Sequence, residues 1–146
     1  MLKYIILIIL LFNTKVFCKE LNFLTLRNDK VNLRQGPSFD YPVKIIYKKK
    51  FLPVIIQEKF DNFRKIKDHE NNSGWIHISQ LSKKKAALVL NDNTIIFNND
   101  TIYSKPLARL EKGKLVMVKK CQLDWCKIKV DGYSGWVSKQ NLWGKI

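Results

Sequence analysis

The chain is poor in the side chains that most catalytic sites require. Its 146 residues include two histidines, His69 and His77, and only 12 carboxylates against 27 basic groups. Covalent or metal-dependent hydrolysis needs a nucleophilic cysteine with a histidine, or histidine and aspartate ligands to a metal. His69 stands in a polar run with Asp68 and Glu70, where solvation is its simplest fate, and His77 follows an apolar strand, where packing or capping is expected. The six glycines form no phosphate-cradling loop, and no serine occupies a G-x-S-x-G elbow. Arginine is scarce, with four residues against 23 lysines, which removes the usual bidentate phosphate contacts. Helical periodicity is missing after the first residues, apart from one turn around Ser79-Gln80. These absences point to an all-β chain that binds and does not catalyse, with no metal and no cofactor.

The only long apolar run is Tyr4 to Phe12. At nine residues it falls well short of the roughly 20 that a membrane span needs. Lys3 ahead of it and Val16-Phe17-Cys18 after it form a secretory signal peptide over residues 1–18, with a cut after Cys18. The alternative, Cys18 as a lipidated residue, is disfavoured by the bulky Phe17. The expected mature chain is exported, soluble and periplasmic. Subtracting Lys3 and Lys15 from the net charge of +15 leaves +13. Such a surface favours anionic partners, or is simply a solvated lysine-rich surface. Nucleic acid fits the charge, but export and the low arginine content argue against it.

One pattern is written twice. Ser73-Gly74-Trp75-Ile76 with Leu81 returns as Ser134-Gly135-Trp136-Val137 with Leu142. Each copy follows an apolar stretch, an acidic turn and an aromatic-x-Lys-Ile segment, Phe63 to Ile66 and then Trp125 to Ile128. A duplication of this length predicts two small β units. Strands are expected from Phe23 to Leu26, Val31 to Arg34, Val43 to Tyr47, Leu52 to Lys59, Phe63 to Lys67 and Gly74 to Ile78, with Asp61-Asn62 as a hairpin turn. Lys83-Lys84-Lys85 marks the boundary, so the units are 19–82 and 86–146 with 83–85 as a lysine-rich linker. Aligning Pro37 with Pro106 makes the excursion that carries Phe39 and Tyr41 nearly absent from the second unit. Domains of about 60 residues are individually marginal, so each would gain from a staple or from docking on its twin.

Removing the signal leaves two cysteines. If Leu123-Asp124 is a two-residue turn closed by Gln122 and Trp125, Cys121 and Cys126 lie opposite each other at a non-hydrogen-bonded pair, where side chains approach most closely. Export supplies the oxidising compartment for a cross-strand disulfide. Lys59 and Arg64 hold the equivalent positions in the first unit.

Val31-Asn32-Leu33-Arg34-Gln35-Gly36-Pro37-Ser38 with Tyr41-Pro42-Val43 resembles the opening motif of bacterial SH3-like (SH3b) domains. Gly74 to Leu81 resembles their closing strand and turn. Phe60 to Ile66, together with Asp131-Gly132-Tyr133-x-Gly135-Trp136 and Leu142-Trp143-Gly144, resembles exported tandem SH3-like proteins of alphaproteobacteria. The resemblance covers the mature chain and weakens between Thr101 and Leu110. It implies two tandem small β-barrels of about five or six strands, a place in the cell envelope and a non-catalytic binding role. In related modules that role is often recognition of cell-wall peptides.

Aromatic side chains are therefore the candidate site. Phe39, Tyr41, Tyr47 and Trp75 fall on segments that such a barrel brings to one side, and flat aromatic faces bind extended peptides without asking them to fold. Trp75 and Trp136 could instead fill barrel ends. Arg34 could fork onto a ligand carboxylate or pair internally with Asp40 or Glu58. The expected partner is peptidoglycan, through its peptides, or another envelope protein. The alternatives are an assembly factor without wall affinity and an accessory protein of a wall-hydrolysing system.

Overall fold

A computed structural model describes residues 21–146; the expected signal peptide, with Cys18, lies outside them. Among the described residues, all the strands fall into two sheets of seven. The first contains β1 (Phe23–Leu26), β2 (Val31–Arg34), β3 (Val43–Tyr47), β4 (Pro53–Phe60), β5 (Phe63–Lys67), β6 (Ser73–His77) and β7 (Leu81–Ser82). The second contains β8 (Ala86–Val89), β9 (Thr94–Phe97), β10 (Pro106–Leu110), β11 (Leu115–Gln122), β12 (Trp125–Val130), β13 (Tyr133–Ser138) and β14 (Leu142–Gly144). Strand order is β3-β2-β6-β5-β4-β1-β7 in one and β10-β9-β13-β12-β11-β8-β14 in the other, so the sheets are topological copies. The count of seven exceeds the five or six expected, because the short β7 and β14 each pair with the opening strand of their own sheet.

The repeated Gly-Trp motif has a steric origin. β6 meets β2 only at Trp75 opposite Arg34, and β13 meets β9 only at Trp136 opposite Phe97. A Cβ on Gly74 would lie 2.7 Å from the Arg34 carbonyl oxygen, and one on Gly135 would lie 2.5 Å from that of Phe97. The glycine admits the crossing backbone, and the tryptophan after it takes the outward position. Inward positions along the strands of each sheet supply the core. Leu26, Val31, Leu33, Val54, Ile66 and Ile76 are fully buried in the first unit, as are Ile96, Cys126, Ile128 and Val137 in the second.

Register corrects one expectation. Residues 35–42 join β2 to β3 and residues 98–105 join β9 to β10, so both units carry an eight-residue excursion. Pro106 opens β10 and stands where the first unit has the start of β3, not where it has Pro37. The hairpins agree with expectation: Gln122 faces Trp125 and Cys121 faces Cys126, as Phe60 faces Phe63 and Lys59 faces Arg64. The Cys121–Cys126 disulfide is formed.

The two units share an apolar contact. Leu88 of the second unit is buried in the core of the first, with Leu115 and Trp143 packed against it. Trp143 meets Phe23 edge to face at 5.1 Å. Lys145 Nζ donates to the Phe23 carbonyl at 3.1 Å, and Lys49 Nζ donates to that of Gly113 at 3.1 Å. The lysines between the sheets are tied down as well: Thr25 Oγ1 donates to the Lys84 carbonyl, and the Val118 amide to that of Lys85. Among the described residues, no helix is long and apolar enough to cross a membrane.

Candidate functional site

Residues directly opposite on antiparallel strands share a face. On the outer face of the first sheet, Phe60 faces Phe63 and Phe63 faces His77. Lys65 faces Trp75, and Trp75 faces Arg34. The 35–42 excursion folds back over this face. Phe39, 59 % exposed, packs at 5.2 Å from the Phe63 ring and 5.1 Å from the His77 ring. Phe63 also meets His77 at 5.1 Å, and Phe60 meets Trp75 edge to face at 6.4 Å. The result is two aromatic groups on one face: exposed Phe39 with His77 over buried Phe63, and exposed Phe60 against half-buried Trp75.

Arg34 organises the excursion. Its Nη1 donates to the carbonyl oxygens of Phe39 at 3.0 Å and Tyr41 at 2.8 Å, and its guanidinium lies 5.4 Å from the Phe39 ring centroid. Neither expected internal carboxylate partner is used: Asp40 bonds Ser38, and Glu58 lies 3.6 Å from Lys65. Tyr41 is held by shape, since a Cβ on Gly36 would lie 2.6 Å from its ring carbons. The ring therefore rests on bare backbone, with roughly half its surface free.

Tyr47 does not join this surface, which corrects its place among the platform residues. It is a core residue whose hydroxyl donates to Asp68 Oδ2 at 2.8 Å. Asp68, 2 % exposed, also accepts from the Glu70 and Asn72 amides and from Asn72 Nδ2. Burial alone would raise the Asp68 pKa, but the bonds from Asn72, Tyr47 and Glu70 outweigh it and hold the carboxyl below its ordinary range. Burial, with the carboxylate beside it, pushes the Tyr47 phenol far above its ordinary value. The pair closes the β5–β6 loop and leaves the outer face to other residues.

Phe60, Phe63 and His77 also lie on this candidate face, beyond the residues expected from the sequence. The Asp61-Asn62 turn was the available signal, because a two-residue turn makes its flanking residues cross-strand partners. His77 Nδ1 accepts the Ser79 amide at 3.2 Å and lies 2.7 Å from Ser79 Oγ, which leaves Nε2 to carry the proton of the neutral ring. The face thus combines flat apolar rings, one imidazole N–H and a guanidinium edge. That set suits apolar and hydrogen-bonded contact with an extended chain.

The second unit does not reproduce this face. Phe97 replaces Arg34 and packs edge-on against Trp125 at 5.8 Å. Ser138 replaces His77 and Gln122 replaces Phe60. Trp136 is buried, with Lys120 Nζ 5.5 Å from its ring centroid.

Residues 27–83 and 101–144, more than half of the chain, match the bacterial SH3 domain family. The chain belongs to this family. Each matched segment of this bacterial SH3 protein carries one Gly-Trp pair, Gly74-Trp75 and Gly135-Trp136. Among solved structures, NlpC2 from Trichomonas vaginalis is 13 % identical with a TM-score of 0.40, covering 86 % of this chain and 48 % of that one. NlpC1 from Trichomonas vaginalis is 12 % identical with a TM-score of 0.38, covering 84 % and 45 %. The chain spans about half the length of these structures. No curated protein matches it.

Proposed function

We propose that this protein is a non-catalytic binding module of the bacterial cell envelope whose first unit recognises extended peptides of peptidoglycan. The observation that carries the reading is the aromatic face made by Phe39 and His77 on buried Phe63 together with Phe60 against Trp75, present in one unit and not reproduced in the other. Membership of a family of binding domains supports it. Arg34 acts as a positioning residue that presents Phe39 and Tyr41, and it offers its guanidinium edge to a ligand carboxylate. The second unit, stapled by Cys121–Cys126, supports the first through Leu88, Leu115 and Trp143. Export to the periplasm rests on the pattern of residues 1–18, and the units extend over 19–82 and 86–146 on either side of the 83–85 linker.

The test is co-sedimentation of the oxidised chain 19–146 with purified peptidoglycan sacculi at low and high salt. Shaped recognition survives salt that screens the lysine surface and falls when Phe39 and Trp75 are changed to alanine. Binding that disappears with salt and ignores both substitutions would contradict the proposal. Absence of binding would redirect the search to an envelope protein as partner.

A further inference from the structure

The two units hold different residues at one equivalent and demanding backbone position. Asp61 and Leu123 each open a hairpin turn with positive φ, 44° and 49°. Aspartate and asparagine tolerate this left-handed conformation far better than leucine does. Leu123 is nevertheless 92 % exposed, so it gains nothing from packing to offset the strain. Tyr103, also 92 % exposed, and Ile102, 64 % exposed, stand on the neighbouring 98–105 excursion. Gln122 Nε2 donates to Asp100 Oδ2 at 2.9 Å and joins the two tips.

These tips are preformed. The Cys121–Cys126 disulfide lies directly behind the hairpin turn. The excursion is braced by its own bonds, from the Asn99 amide to Ser104 Oγ, the Tyr103 amide to Thr101 Oγ1 and the Ser104 amide to the Thr101 carbonyl. In the first unit the corresponding Phe39 turns back onto Phe63 and His77, and the turn itself is polar. In the second unit the apolar groups point outward on a rigid frame. Lys105, Lys119, Lys120, Lys127 and Lys139 lie on the segments that carry or adjoin these tips, against two carboxylates, Asp100 and Asp124. Apolar tips on lysine-rich segments complement the interface of an anionic bilayer, where the apolar side chains enter the headgroup layer and the lysines meet the phosphates.

We propose that the second unit docks on anionic lipid membranes through Leu123, Tyr103 and Ile102, with the lysines of the same and adjoining segments on the headgroups. This surface is separate from the aromatic face of the first unit. Together they would place the wall-binding face at a fixed distance from a membrane.

The experiment is vesicle co-sedimentation of the oxidised chain 19–146 with phosphatidylglycerol–phosphatidylethanolamine vesicles and with phosphatidylcholine vesicles. Binding is expected to the anionic vesicles and to fall steeply with salt. Leu123→Asn suits the left-handed backbone and so preserves the fold; combined with Tyr103→Ser it is expected to weaken binding about tenfold or more. Phe39→Ala with Trp75→Ala should leave vesicle binding unchanged, which separates this proposal from the wall reading. No binding to anionic vesicles would overturn it. Equal binding by the Leu123→Asn, Tyr103→Ser chain would also overturn it, by showing the lysine surface acting alone. So would a dimer in solution that Leu123→Asn dissociates, because a second copy would then be what covers the tips.

Discussion

Arg34 and Phe39 are joined twice, by a hydrogen bond from Nη1 to the Phe39 carbonyl at 3.0 Å and by the guanidinium lying 5.4 Å from the ring centroid. The same Nη1 holds the Tyr41 carbonyl. One side chain at the end of β2 therefore sets both exposed aromatics of the excursion. Arg34→Lys should release them, since an ammonium cannot reproduce the planar fork and stack. Amide hydrogen exchange at Gln35, which donates to the Pro42 carbonyl at 3.1 Å, and at Tyr41, which donates to that of Ser38 at 3.4 Å, is expected to accelerate about tenfold, the equivalent of one lost charged hydrogen bond. Unchanged exchange would show that the Tyr41–Gly36 contact alone orders the loop.

The Tyr47–Asp68 pair predicts how stability depends on pH at both ends. Asp68 is held below its ordinary range in the folded chain, so its contribution is complete above the unfolded carboxylate pKa and is lost as pH falls through the folded one. Tyr47 is raised, so its contribution is complete below the unfolded phenol pKa, near 10, and declines as pH rises above that value. Asp68→Asn should flatten the acid limb and Tyr47→Phe the alkaline limb in denaturant titrations across pH. At neutral pH, Tyr47→Phe should cost about 1–3 kcal/mol by leaving a buried carboxylate short of a donor.

Gly74→Ala and Gly135→Ala should each destabilise by about 1–3 kcal/mol, because the atoms a new Cβ meets include backbone carbonyl oxygens and the crossing strand must shift. Thermal melts monitored by circular dichroism would read this. Full tolerance of alanine at both positions would contradict the crossing described for Trp75 with Arg34 and Trp136 with Phe97.

Reduction of Cys121–Cys126 should lower stability by about 2 kcal/mol, the chain-entropy value for so short a loop. The loss should appear as a lower melting temperature of the reduced chain. Because Leu88 and Trp143 pack on the first core, the first unit is expected to melt earlier along with the second.

Much of this was legible before the structure. The Gly-Trp repeat, the two-residue turns and the Cys121–Cys126 register follow from local rules, and the strands begin and end within a residue or two of their expected limits. The errors came where local rules are silent. Pro37 and Pro106 are both turn or strand-start residues, so matching them by identity misaligned the excursions; only strand pairing shows their equal length. Ile45-Ile46-Tyr47 is apolar at every position, so alternation could not say which way Tyr47 points. Its partner Asp68 lies 21 residues away, and that pairing has no sequence signal. Arg34 was recognised as important, but its acceptors are main-chain carbonyls, which every residue possesses and no pattern distinguishes. The shared core around Leu88 and Trp143 depends on how one unit sits on the other, which no periodicity encodes.

The outer face of the first unit, as the proposed ligand surface, should respond to ligand residue by residue. Its most direct test is a titration of isotope-labelled chain 19–146 with soluble peptidoglycan stem peptides, followed by amide and side-chain resonances. Shifts are expected to concentrate at Phe39, Tyr41, Trp75 and His77, with Trp125 and Trp136 unmoved. Shifts centred on the second unit, or spread over the lysine surface and abolished by salt, would contradict it.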